Sequence, residues 1–165
     1  MEKHRVALIK GDDRYANIRR ALEAIEEDID LAGKQRIVVK PNFVSIRRSL
    51  AATQPDAVRA VLDFLQEEGV GRVTLAEGPA MGSFQQGLKN HGYSRLLEEY
   101  DPEIVDLNKD ESVEVGLYTR SMQPIRLPVA RTIVESEVPS LNSMTPPEPA
   151  SSRSSAYCIA TSASS

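Results

Sequence analysis

Residues 36–79 read RIVVKPNFVSIRRSLAATQPDAVRAVLDFLQEEGVGRVTLAEGP, and this stretch decides the fold class. Arg36-Ile-Val-Val39 is a short β-branched run, which predicts a strand. Lys40-Pro41-Asn42 closes it. A loop of about a dozen residues follows. Thr53-Gln-Pro-Asp56 has the marks of a helix start, with Thr53 as cap, Pro55 in the first turn and Asp56 as capping-box partner. Val58, Val61, Leu62 and Leu65 recur at helical spacing and form the stripe that faces a core. Gly69 stands where a left-handed cap ends the helix. Arg72-Val-Thr-Leu-Ala76 is then a further strand, with Glu77-Gly-Pro-Ala-Met-Gly82 as its exit loop. A strand, a helix and a second strand in this order predict parallel pairing through a right-handed crossover.

The same alternation extends both ways. Upstream, Val6-Ala-Leu-Ile9 reads as a first strand ending at Lys10. Gly11-Asp12-Asp13 offers two N-caps, and Ile18, Ala21, Leu22, Ile25 and Ile29 mark a helix face. Downstream, Ser83 and Gln86 suggest a capping box, and short helices are broken at Gly92. Ile104-Val105 is a fourth strand, with Asp106 and Asn108 just beyond. Residues 113–118 and 125–129 are able to pair as strands, and residues 130–137 open another helix. The expected fold is α/β: a three-layer, mostly parallel open sheet of Rossmann-like βαβαβ order.

Composition narrows the function classes. The chain has 165 residues, 20 basic and 24 acidic side chains and a net charge of -4, so it has no basic excess to neutralise a nucleic-acid backbone. No apolar run is long enough for a membrane span or a signal-peptide core. The single cysteine, Cys158, excludes an internal disulfide and a thiolate-built zinc or iron–sulfur site within one chain. Cys158 has no basic or histidine neighbour and reads as an inert thiol. The expected compartment is the cytoplasm. Residues 139–165 contain nine Ser and four Pro, with only Glu148 and Arg153 charged. Such a stretch buries too little apolar surface to offset its ordering entropy, so it reads as a disordered tail after an α/β domain over residues 1–138.

Open parallel sheets bind ligands outside the carboxyl ends of their strands. Here those ends carry Lys10, Lys40 with Asn42, Glu77 with Gly78, and Asp106 with Asn108. If the strands are parallel neighbours, these groups converge. Lys10 and Lys40 suit a small anionic ligand, Asn42 can orient it, and Gly78, Asp106 and Asn108 are further ligand-binding candidates; Glu77 and Asp106 suit a proton-transfer or cation role, with Glu77 and Lys40 the catalytic candidates. The bland alternative is that they are ordinary polar exit residues, solvated or paired for little energy. The 77–82 loop lacks both G-x-G-x-x-G and GK[ST], so neither nucleotide motif is present. His91 beside Gly92 reads as a surface residue compensating a helix end, and Arg47 and Arg48 as solvated loop residues.

The stretches Val6-Ala-Leu-Ile-Lys-Gly11, Ile37-Val-Val-Lys-Pro-Asn-Phe43, Thr53-Gln-Pro-Asp56, Leu75-Ala-Glu-Gly-Pro79 and Val105-Asp-Leu-Asn108 occur in an order that resembles the domain of unknown function 362 family over residues 5–138. The resemblance implies no settled reaction. It implies that Lys40, Asn42 and Glu77 fall on recurrent polar positions. It also implies longer relatives that carry ferredoxin-like four-iron four-sulfur modules, so a ferredoxin-like module or partner is expected outside this chain. After Leu141-Asn142-Ser143 the likeness stops. A frameshift near Ser143 that truncates the reading frame accounts for this and implies an incomplete sheet; a genuine tail is the alternative. Three functions stay open at this point: a ligand-binding or enzyme-like domain with its site at the strand ends, a redox-linked protein serving an iron–sulfur module, and an inactive truncated fragment.

Overall fold

The structure, a computed structural model, describes residues 6–136. The expected tail and Cys158 lie outside the described residues. Three strands, β1 (Val38–Val39), β2 (Thr74–Glu77) and β3 (Glu103–Asp106), form one sheet in the order β1-β2-β3. Both pairings are parallel, and Glu77 stands in register with Asp106. The βαβαβ order read from residues 36–106 is therefore present, and the fold is α/β.

The helices form where the apolar spacing places them. α1 (Arg14–Glu23) begins at Asp13, whose side chain accepts from Ala16 N at 2.9 Å. Its stripe of Ile18, Ala21 and Leu22 is buried, and Ile25 stays buried in the turn beyond the helix. α2 (Pro55–Glu67) has Pro55 in its first turn and buries Val58, Leu62 and Leu65. α3 (Phe84–Asn90) is capped by Ser83, which accepts from Gln86 N, and α4 (Ser94–Tyr100) follows the turn at Gly92. Gly69 and Gly92 both take the left-handed conformation that ends these helices. Leu75 of β2 packs in one cluster with Ile18 and Leu22 of α1, Val58 and Leu62 of α2, and Leu88 and Leu96 of α3 and α4. Sequential strand order with right-handed crossovers puts α2 and the α3–α4 pair on one face of the sheet. Of the three expected layers, the sheet and this helical layer are accounted for among the described elements.

Two readings need correction. Residues 6–9 form no strand; Val6 is 88% and Leu8 93% exposed. An apolar run of this length needs a neighbour with free backbone groups, and these residues are not paired to β1. Thr53 is not the cap of α2, because Gln54 holds that place and makes no side-chain capping bond. The Thr53 hydroxyl instead accepts from Asn42 N at 2.8 Å, a bond that closes the intervening loop.

β4 (Ser112–Tyr118) and β5 (Pro124–Ala130) form a separate antiparallel hairpin, followed by α5 (Arg131–Glu135). Their register joins Val113 to Val129, Val115 to Leu127 and Leu117 to Ile125.

Candidate functional site

The carboxyl ends of β2 and β3 bring two buried carboxylates side by side. Glu77 is 4% and Asp106 7% exposed. Register partners on adjacent strands share a face, so both side chains leave the sheet on the same side. Neither is a free acid. Glu77 Oε1 accepts from Phe43 N at 3.0 Å. The partner of Glu77 Oε2 is the Lys40 ammonium at 2.5 Å. Asp106 Oδ2 accepts from Phe84 N at 3.2 Å, and Asp106 Oδ1 from Asn108 N at 3.2 Å. Lys109 Nζ stands 3.9 Å from Asp106 Oδ2. Each carboxylate thus fixes one loop to the sheet and holds one lysine whose far side meets solvent.

The loop between β1 and α2 is clasped at its root and pinned at Ser45, Ile46 and Thr53. Thr53 N donates to Asn42 O at 2.8 Å. Asn90 Nδ2 donates to Ile46 O, the His91 ring bonds Ser45 O, and Tyr93 Oη donates to Thr53 O. Phe43 is buried beneath the loop, with the Phe84, His91 and Tyr93 rings within 5.0–5.4 Å. His91 is therefore not the surface residue that its place beside Gly92 suggested. It is buried, because Ser45 and Phe43 reach it from far along the chain. Burial also pushes the Tyr93 phenol well above its ordinary pKa.

Gly78 leaves β2 where no side chain fits. A Cβ there would lie 2.8 Å from Asn108 Oδ1. Asn108 in turn donates to Pro79 O at 2.7 Å, which ties the β3 exit to the glycine loop.

The structure therefore brings together Lys40, Glu77, Asp106, Asn108 and Gly78. The strand that was to carry Lys10 is absent, and no hydrogen bond or ion pair joins Lys10 to these groups among the described residues. Asn42 lies at the edge through its backbone, which pairs with Thr53, while its residue is exposed. Lys109 was missed from sequence, although its spacing of three from Asp106 was a usable signal. Clefts elsewhere, one lined by residues 29–35 and 68–70 and another by Pro55, Arg59, Gly92 and Arg95, contain none of these groups. The candidate site is an open polar edge.

The pattern of the family described as a domain of unknown function (DUF362) matches residues 37–138. That span holds β1 to α5 and every residue of the edge just described. The chain belongs to the DUF362 family. The DUF362 chain is also 36% identical over 73 residues to a thylakoid-associated protein, sll1697, of Synechocystis sp., a match covering 43% of this chain and 22% of that protein. The match thus spans about a fifth of that relative's length. No solved structure matches the chain. No helix among the described residues is long and apolar enough to cross a membrane. The four-iron four-sulfur cluster that the family likeness brings with it does not fit this chain's own residues. Such a cluster is held by several thiolates, and the chain has one cysteine.

Proposed function

We propose that this DUF362 domain binds a small anionic ligand at the carboxyl edge of its parallel sheet. Lys40 is the principal contact and Lys109 a second. The observation that carries this reading is the Lys40–Glu77 pair. A buried carboxylate holds an ammonium at 2.5 Å while 48% of the lysine side chain stays exposed. A lysine fixed in this way loses little further side-chain freedom on meeting an anion. Glu77 and Asp106 are positioning residues here, since their oxygens already hold Phe43 N, Phe84 N and the two lysines. At the start of α3, Phe84 N is already spent on Asp106 and Gln86 N on Ser83. Affinity therefore comes from the lysines, with exposed Asn42 beside Lys40 to orient the ligand. Arg47 and Arg48 add exposed positive charge in the same loop.

The test is melting temperature against inorganic phosphate, pyrophosphate and small dicarboxylates, with chloride at matched ionic strength as reference. A saturable rise is expected for at least one anion; at a hundredfold excess over Kd the stabilisation is about 2.7 kcal/mol. Lys40→Gln should remove most of the rise and Lys109→Gln part of it. No rise beyond the chloride reference for any of them defeats the reading.

A further inference from the structure

The β4–β5 hairpin has one open edge and one blocked edge. Arg131 N donates to Glu111 O, and Thr119 N to Gln123 O, at the two ends of the hairpin. Bonded and non-bonded pairs alternate along an antiparallel ladder. Counting inward, residues 113, 115 and 117 face their partners with N–H and C=O, while 112, 114, 116 and 118 turn these groups outward. On β5 the outward positions are 124, 126, 128 and 130. Two of these, Pro124 and Pro128, have no N–H to give. The outer edge of β5 is closed to further strands, whereas that of β4 carries its full set of donors and acceptors. Among the described residues nothing pairs with β4 except β5.

The side chains of β4 are complementary to themselves. One face carries Val113, Val115 and Leu117 beside Val129, Leu127 and Ile125. The other carries Ser112, Glu114, Gly116 and Tyr118, with Arg126 opposite Gly116. Glu114 and Arg126 form no ion pair among the described residues, and the space above Gly116 is empty. Charge, edge and pattern converge on one occupant.

We propose that β4 pairs antiparallel with β4 of a second copy of this chain, about a twofold axis at Val115. Val113 then faces the partner's Leu117, and Glu114 faces the partner's Gly116. The main-chain bonds form between even-numbered residues, the ones whose groups point outward. Glu114 lies beside a residue without a side chain, and the partner's Arg126 stands one strand further on, about 10 Å away between Cα atoms. A glutamate and an arginine extended toward each other span that gap. The twofold makes the pair twice. The product is a four-stranded sheet, past the size at which a lone hairpin is only marginally stable. Because Pro124 and Pro128 close the outer strands, assembly stops at two copies and does not propagate into a fibre.

Sedimentation equilibrium on the whole chain tests this. The expected mass is twice the 18.2 kDa of one copy, falling to one copy on dilution. Gly116→Pro removes an outward N–H without touching a bond inside the hairpin and should yield monomer. Glu114→Arg, an exposed change that leaves the fold intact, should weaken the dimer at least tenfold. Adding Arg126→Glu to it should restore most of that loss. A wild type that is monomeric at every concentration overturns the proposal. So does a dimer that ignores both Gly116→Pro and Glu114→Arg.

Discussion

Removing Lys40 should cost more stability than neutralising Glu77, although the two form one ion pair. The asymmetry follows from exposure: the glutamate side chain is 5% and the lysine 48% accessible. Lys40→Met leaves a carboxylate buried with a single hydrogen bond, from Phe43 N. Deleting one partner of a buried pair costs about 3–5 kcal/mol, and an exposed pair is worth about 0–1 kcal/mol. With one partner in each regime, the expected cost of Lys40→Met is about 2 kcal/mol. Glu77→Gln keeps an acceptor for Phe43 N and releases Lys40 to water, at a cost of about 0.5–1 kcal/mol. The double variant buries no charge, so adding Glu77→Gln to Lys40→Met should recover about 1 kcal/mol. The assay is urea denaturation of all four proteins, read as a double-mutant cycle. For a domain of this size each kcal/mol also moves the melting temperature by roughly 3–6 °C. Equal costs for the two single variants, with additivity in the double, would show that Lys40 does not neutralise Glu77, and the argument for a held lysine would fall with it.

Other outcomes follow from the same contacts. Gly87→Ala gains about 1 kcal/mol of helix propensity but places a Cβ 2.6 Å from the buried ring of Phe43. Overpacking costs about 1–3 kcal/mol, so the variant should be less stable by up to about 2 kcal/mol; a rise in the urea midpoint would contradict the tight seat of Phe43. Asp63 accepts from Tyr15 Oη at 2.6 Å and also from Tyr100 Oη, joining α1, α2 and α4. Asp63→Ala should cost about 1–3 kcal/mol and Asp63→Asn less, measured by the same denaturation. Three tyrosines have raised pKa values: Tyr93 by burial, Tyr100 by burial and then its bond to Asp63, and Tyr15 chiefly by its bond to Asp63. A phenol whose native pKa lies above the unfolded value stabilises fully below about pH 10 and loses that contribution as pH rises through the native value. Melting temperature should fall above about pH 10 in step with tyrosinate absorbance, and a flat profile there would count against the burial of Tyr93.

Structure set by local chemistry is legible in the sequence, and structure set by a distant partner is not. Pro55, Ser83, Gly69 and Gly92 were legible because caps and turns need only neighbours within a few residues. The exits of β2 and β3 were legible because polar groups must follow short buried strands. What Glu77 and Asp106 hold was not, since Phe43 and Phe84 are 34 and 22 residues away. His91 shows the same limit: its position beside Gly92 points to a helix end, while its burial is set by Ser45 O, 46 residues earlier. Thr53 had the right chemistry for a cap, but its hydroxyl accepts from Asn42 N, 11 residues earlier, and closes the loop instead. Residues 6–9 had strand composition without a strand to join, and composition alone cannot supply one.

The loop that Asn90, His91 and Tyr93 pin over Phe43 has a kinetic consequence. A lid that must open and shut places a conformational step, on the microsecond-to-millisecond scale, between encounter and capture. Here Ser45 and Ile46 at one end of the loop beside Lys40, and Thr53 at the other, are bonded to the segment the loop would have to leave. If this edge binds an anion as proposed, exchange should therefore be a single diffusional event whose rate follows viscosity and ionic strength and does not saturate with anion concentration.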